Sequence, residues 1–138
     1  MISHEVKKPN PHLVGSIGSI CYQLAKRGWN VKPTSRNAKG IDILIYSQDA
    51  IKKYAIQVKS LSKKVPVPLG DKEVNTIALA DYVIICVLQE TQEMFIAKPT
   101  DLNQRIHRGE RNGEISYWLQ PKGYVMFKDN WHIIGDGL

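Results

Sequence analysis

Two apolar segments, Ile41-Asp42-Ile43-Leu44-Ile45-Tyr46 and Tyr54-Ala55-Ile56-Gln57-Val58-Lys59-Ser60, constrain this chain more than any other feature. Each alternates with period two, the pattern of a β-strand whose successive side chains leave on opposite faces. On that period Gln57 and Lys59 share one face, while Ile56 and Val58 share the other. An acid interrupts the first segment, and a Gln-x-Lys lies 15 positions further on in the second. If the two strands form a hairpin, Asp42 meets Gln57 and Lys59 on one face. A carboxylate oxygen, an amide oxygen and an ammonium gathered there can hold Mg²⁺ and an attacking water beside a phosphate.

Asp42 is costly where it stands. A carboxylate between Ile41 and Ile43 destabilises a strand unless it is paired, hydrogen-bonded or bound to a metal. One explanation is structural: a strand-edge acid bonded to a backbone N–H, or paired with Lys39 or Lys59. The other is a metal site. In that case Lys59 supplies fixed positive charge to the attacking water and the phosphate. Gln57 contributes a neutral amide oxygen where a carboxylate would bind a hard cation more tightly.

Charge distribution favours an anionic partner. Residues 1–64 carry 12 Lys/Arg against three acids, whereas residues 65–138 carry 7 against 10. The candidate residues therefore lie in a half of net charge +9, although the whole chain is +6. Such a field concentrates phosphate-bearing ligands. A solvated basic surface with no fixed partner accounts for the charge alone equally well, and the candidate site beside it tips the reading toward nucleic acid. Arg36, Lys39, Ser60, Lys63 and Lys64, around the two strands, are the candidate nucleic-acid contacts. A chain of 138 residues is expected to form a single domain spanning 1–138. No apolar run approaches the roughly 20 residues that span a bilayer. Met1 to Lys8 lacks the apolar core of a signal peptide, so a cytoplasmic protein with free Cys21 and Cys86 is expected.

Along the chain, Asn10-Pro11 reads as a helix start, and apolar positions from Leu13 to Ala25 recur every three or four residues up to Gly28. Gly15 and Gly18 within this helix suggest a close neighbour. Trp29 to Lys32 reads as a short strand, and Pro33 to Gly40 as a loop. Leu61 to Asp71 also reads as a loop, a candidate substrate-contacting flap, with a short helical piece near Glu73–Leu79. Tyr82–Leu88 is uniformly apolar, as in a strand covered on both faces, and Met94–Ala97 is a further strand. A second helix is expected from Thr100 to about Arg108, and a strand at Ile115–Leu119. Trp118, Tyr124, Phe127 and Trp131 are expected to pack this end of the chain against the sheet, with base stacking on exposed aromatics as the alternative.

The succession of a helix, Gly40-Ile41-Asp42-Ile43 and Ile56-Gln57-Val58-Lys59 resembles the PD-(D/E)XK nuclease superfamily, which includes restriction endonucleases and Holliday-junction resolvases. Gly15-Ser16-Ile17-Gly18-Ser19, Leu24 and Arg27-Gly28-Trp29 are similar to its first helix and following turn, and Ala80 to Ile84 to a later core strand. The resemblance implies an α/β fold with a restriction-endonuclease-like αβββαβ core, a mixed central sheet flanked by helices. It also implies Mg²⁺- or Mn²⁺-dependent hydrolysis of phosphodiester bonds in DNA, in some members by homodimers. Carried over, Asp42 is the metal-binding acid, Gln57 stands in the second acid's place, and Lys59 is the catalytic lysine. The sequence departs from the pattern at Ser19, which stands at the position of a first-helix Glu; Glu5 and His12 are the substitutes nearest in sequence. The competing expectations are a nuclease-fold DNA-binding module without catalysis and a protein-interaction domain.

Overall fold

The computed structural model describes residues 10–34, 40–70, 77 and 79–138. Helix α1 (Pro11–Lys26) starts where the sequence places it. The Asn10 side chain accepts hydrogen bonds from the amides of His12 and Leu13, at 3.0 and 3.4 Å, and Pro11 needs no amide partner in the first turn. Gly28 follows the helix with φ +90°, a conformation that favours glycine. Ser16, Ile20 and Leu24, four residues apart, form the buried stripe. Gly15 and Gly18 face open space, so the close neighbour expected there is absent among the described residues.

Strands β1 (Asn30–Pro33), β2 (Ile43–Tyr46) and β3 (Lys53–Leu61) form an antiparallel meander. β3 then pairs in parallel with β5 (Tyr82–Val87), and β5 pairs antiparallel with β6 (Glu93–Ala97). The result is a mixed five-stranded sheet in the order β1-β2-β3-β5-β6. Every residue of β5 is buried, as its unbroken apolar run requires. On one face α1 covers Ile43, Ile45, Ile56, Val58 and Ile84. On the other, Leu61, Val83, Ile85, Val87 and Phe95 meet a second layer.

That second layer differs from the sequence expectation. Within the stretch expected to be a loop, Val67–Gly70 forms β4, an edge of a three-stranded sheet in which it pairs with β8 (Glu114–Leu119) and β8 with β7 (Ile106–Arg111). Pro68 fits there because an edge strand does not need every amide for pairing. The expected second helix is cut to α2 (Pro99–Asn103), and Ile106–Arg111 is instead strand β7. β7 turns into β8 (Glu114–Leu119) through Asn112-Gly113, both with positive φ (+52° and +79°). An Asn-Gly pair is a strong short-range hairpin signal, and it overrides the helical spacing of Arg105 and Arg108. Single 3-10 turns at Pro121–Gly123, Val125–Phe127 and Trp131–Ile133 close the fold. Tyr124 and Trp131 are buried, as expected of packing aromatics, with the Tyr124 hydroxyl donating to the Val65 carbonyl at 2.9 Å. The helical piece expected near Glu73–Leu79 lies mostly outside the described residues. No helix among the described residues is long and apolar enough to cross a membrane.

Candidate functional site

The site forms where β2 stops short of β3. Their register pairs Ile43 with Ile56, so β3 runs on past Ile56 with its β2-side edge uncovered by that strand. Asp42 stands at this point, one residue before β2. Its amide donates to the Ile56 carbonyl at 2.8 Å, and its carbonyl accepts from the Thr34 amide at 2.9 Å. Main-chain bonds to the end of β1 and to β3 thus fix the residue on both sides. Its carboxylate Oδ2 accepts the Val58 amide at 2.7 Å, a charge-assisted bond in the place of a ladder bond.

That bond sets the carboxylate beside the residue between Gln57 and Lys59. Both belong to the face of β3 opposite Ile56 and Val58, as alternation requires. The charges of Asp42 and Lys59 act on one another. Burial pushes the Asp42 carboxyl above its ordinary range, while the Val58 amide and the Lys59 ammonium pull it down. Burial holds the Lys59 ammonium below the usual lysine range, against the attraction of Asp42. Gln57 is 6% exposed, and its Oε1 is buried without a hydrogen-bond partner among the described residues. A buried amide oxygen in that state costs stability of about 1–3 kcal/mol unless something else satisfies it.

Beside Lys59 a cleft of about 280 Å³ runs along the end of β3, between Asn10 and Leu13 of the helix start and Val67 and Pro68 of β4. Part of the region expected to be a flap is therefore a wall of this cleft. The helix reaches β3 through Ser16, whose hydroxyl lies 2.7 Å from that of Ser60; Ser60 also donates to the His12 carbonyl at 3.1 Å. Ser60, expected to contact nucleic acid, has its hydroxyl tied to the helix. Ser19, at the position of the missing helix acid, accepts from Gln92 beyond β5 at 3.2 Å. Ser16 is thus the helix side chain that hydrogen-bonds to the site's strand, a role sequence reasoning missed although the residue shares the Ile20–Leu24 stripe.

The remaining expected contacts are dispersed. Lys64 pairs with Glu93 at 3.2 Å, as does Lys128 at 3.0 Å, and Lys63 is exposed. Arg36, Lys39 and Glu5 lie outside the described residues. Among the described residues no three His, Cys, Asp or Glu side chains cluster as a metal site. The donors that fit a hard divalent cation here are oxygens: the Asp42 carboxylate and the unpartnered Gln57 Oε1.

This arrangement, a helix on a mixed sheet with an acid and a lysine meeting where two strands part, has the restriction-endonuclease-like nuclease fold. Among solved structures, the Holliday-junction resolvase Hjc of Archaeoglobus fulgidus matches with a TM-score of 0.58 at 16% identity, covering 86% of this chain and 99% of that one. A bacterial homing endonuclease matches with a TM-score of 0.47 at 17% identity, covering 88% and 91%. No protein-family model and no curated protein matches the sequence.

Proposed function

We propose that the protein is a metal-dependent DNA endonuclease whose centre is Asp42, Gln57 and Lys59, a Gln-x-Lys form of the PD-(D/E)XK arrangement. The observation that carries this reading is the unpartnered Gln57 Oε1 on the same strand as Lys59, with the Asp42 carboxylate anchored between them in sequence at Val58. Asp42 and Gln57 would hold Mg²⁺ or Mn²⁺, which supplies Lewis-acid polarisation of the phosphate and a more acidic water. Lys59 holds a positive charge beside the scissile phosphate and orients the water by donation from its ammonium. The Val58 amide keeps the carboxylate at the strand edge. The basic half of the chain favours DNA as the partner, and the resolvase likeness makes branched DNA a substrate to include.

A second reading, a nuclease-fold DNA-binding module without catalysis, is favoured by one observation. The first helix carries Ser19, engaged by Gln92, at the position where the superfamily resemblance implies a carboxylate. Linear, supercoiled, single-stranded and four-way-branched DNA incubated with Mg²⁺ or Mn²⁺ separates the two. The endonuclease reading expects cleavage of at least one substrate, abolished in Asp42→Ala and Lys59→Ala. Binding without cleavage by the wild type supports the module, and equal cleavage by the variants contradicts the assigned centre.

A further inference from the structure

The geometry points to a second nucleic-acid contact at the base of the β7–β8 hairpin, where Arg105, His107 and Lys122 take a backbone phosphate beside the stacked His107–Trp118 pair. This rests on DNA being the partner, but uses none of the residues of the proposed cleavage centre. Arg105 and His107 enter β7, while Gln120 and Lys122 leave β8, and all four surround one depression of about 190 Å³. That is several times the ~30 Å³ share of a water molecule and leaves room for a phosphate group. The lining residues include no carboxylate. Among the described residues neither Arg105 nor Lys122 makes an ion pair with an acid. Every charged side chain facing the depression is therefore a donor, and Gln120 and His107 add N–H groups.

Two glycines build the place. A Cβ on Gly123 would come within 2.9 Å of the Leu119 side chain and 3.4 Å of the Arg105 Cβ. A bare backbone there lets the turn after β8 close on the start of β7, which brings Lys122 beside Arg105. On the outer face of the hairpin, a Cβ on Gly109 would lie 2.8 Å from the Trp118 ring. Without it, Trp118 leans across the strand with its plane 15° from that of His107 and the ring centres 5.7 Å apart. Arg105 is braced from behind, its guanidinium 5.8 Å from the centre of the Phe127 ring. A phosphate-sized basic depression next to an aromatic surface is the chemistry of a nucleotide strand, whose charge is repeated and whose bases stack. An acidic protein segment would use the charges but not the rings.

The test is fluorescence-anisotropy titration of labelled duplex and four-way-branched DNA with the full chain, in EDTA so that no cleavage occurs, over a range of salt. The paired change Arg105→Ala and Lys122→Ala alters exposed side chains and should leave the thermal midpoint in place. It should weaken binding about tenfold or more and flatten the dependence of log K on log salt by about 1 for each phosphate no longer neutralised. Trp118→Phe, which keeps a ring in the hairpin, should weaken binding less and leave the salt slope as it is. Unchanged affinity and slope in the paired variant, with DNA binding by the wild type intact, overturns this contact alone. No binding of any DNA by the wild type at low salt overturns it together with the proposed function.

Discussion

The Asp42 carboxylate accepts the amide of Val58, the residue between Gln57 and Lys59, at 2.7 Å. One hydrogen bond therefore ties the acid to the strand that carries both other members of the site. It also fills a place where β2 would otherwise have continued the ladder.

The site's charges are held against their environment, and removing them should stabilise the fold. Asp42 titrates above its ordinary value of 3.8 in the folded chain. Its favourable contribution is present below the unfolded value and disappears as pH rises through the folded one. Asp42→Asn keeps an oxygen for the Val58 amide and removes that penalty. Its melting temperature should match the wild type near about pH 3 and exceed it at about pH 7. Lys59 titrates below its ordinary 10.5, so its contribution is present above that value and disappears as pH falls through the folded one. Lys59→Met should likewise melt above the wild type at neutral pH. Thermal scans across pH check both, and variants less stable than the wild type at neutral pH would contradict the assignment.

On the proposed mechanism the same shifts set the pH dependence of cleavage. That mechanism requires ionised Asp42 and protonated Lys59 together, so the profile should be bell-shaped. Its acid limb should lie above the ordinary carboxylate value of 3.8 and its alkaline limb below the ordinary lysine value of 10.5. A bound cation lowers the pKa of its carboxylate ligand, so the shift is read at subsaturating Mn²⁺. Single-turnover rates across pH under that condition check this, and an acid limb at or below 3.8 there counts against Asp42.

Gln57→Glu should exchange stability for metal affinity. Without divalent ions a second buried carboxylate near Asp42 lowers the thermal midpoint, because like charges and burial both oppose it. With Mg²⁺ the midpoint should rise further than it does in the wild type, since a carboxylate is the better ligand. Differential scanning fluorimetry with and without Mg²⁺ gives both numbers, and a midpoint insensitive to Mg²⁺ in the variant would tell against a cation at this position.

Away from the site, residues 135–138 are laced between the end of α1 and the turn after β2. The Gly137 amide donates to the Arg27 carbonyl at 3.0 Å, and its carbonyl accepts from the Gln48 amide at 2.7 Å. A Cβ at Gly137 would meet the Gly28 carbonyl oxygen and the Trp29 Cα at 2.7 Å, both of them main chain and unable to swing aside. Gly137→Ala should cost about 1–3 kcal/mol in urea unfolding, as overpacking does.

The sequence is most legible where local chemistry and tertiary context agree. Asn10-Pro11 and Gly28 bound α1 because capping is local, and the apolar run of β5 is buried on both sides because nothing else could shelter it. β4 is not legible, because it is defined by pairing with β8 some 50 residues further on, whereas β7 carries a local signal in Asn112-Gly113 that the helix start at Thr100 masks. At the site, alternation alone places Gln57 with Lys59. That Asp42 stands outside β2 and bonds to Val58 depends on where β2 ends, which the continuous Ile41–Tyr46 pattern conceals. Ser16 is hidden by its type: a serine on a buried helical stripe signals a partner across the interface, but not which one.

Calorimetric titration of the full chain with Mn²⁺ tests the cation site at Asp42 and Gln57 most directly, since it requires no known DNA substrate. The predicted result is one site per chain, abolished by Asp42→Asn and weakened by Gln57→Leu, which removes the amide oxygen. Mn²⁺ binding of equal strength in wild type and both variants would contradict it.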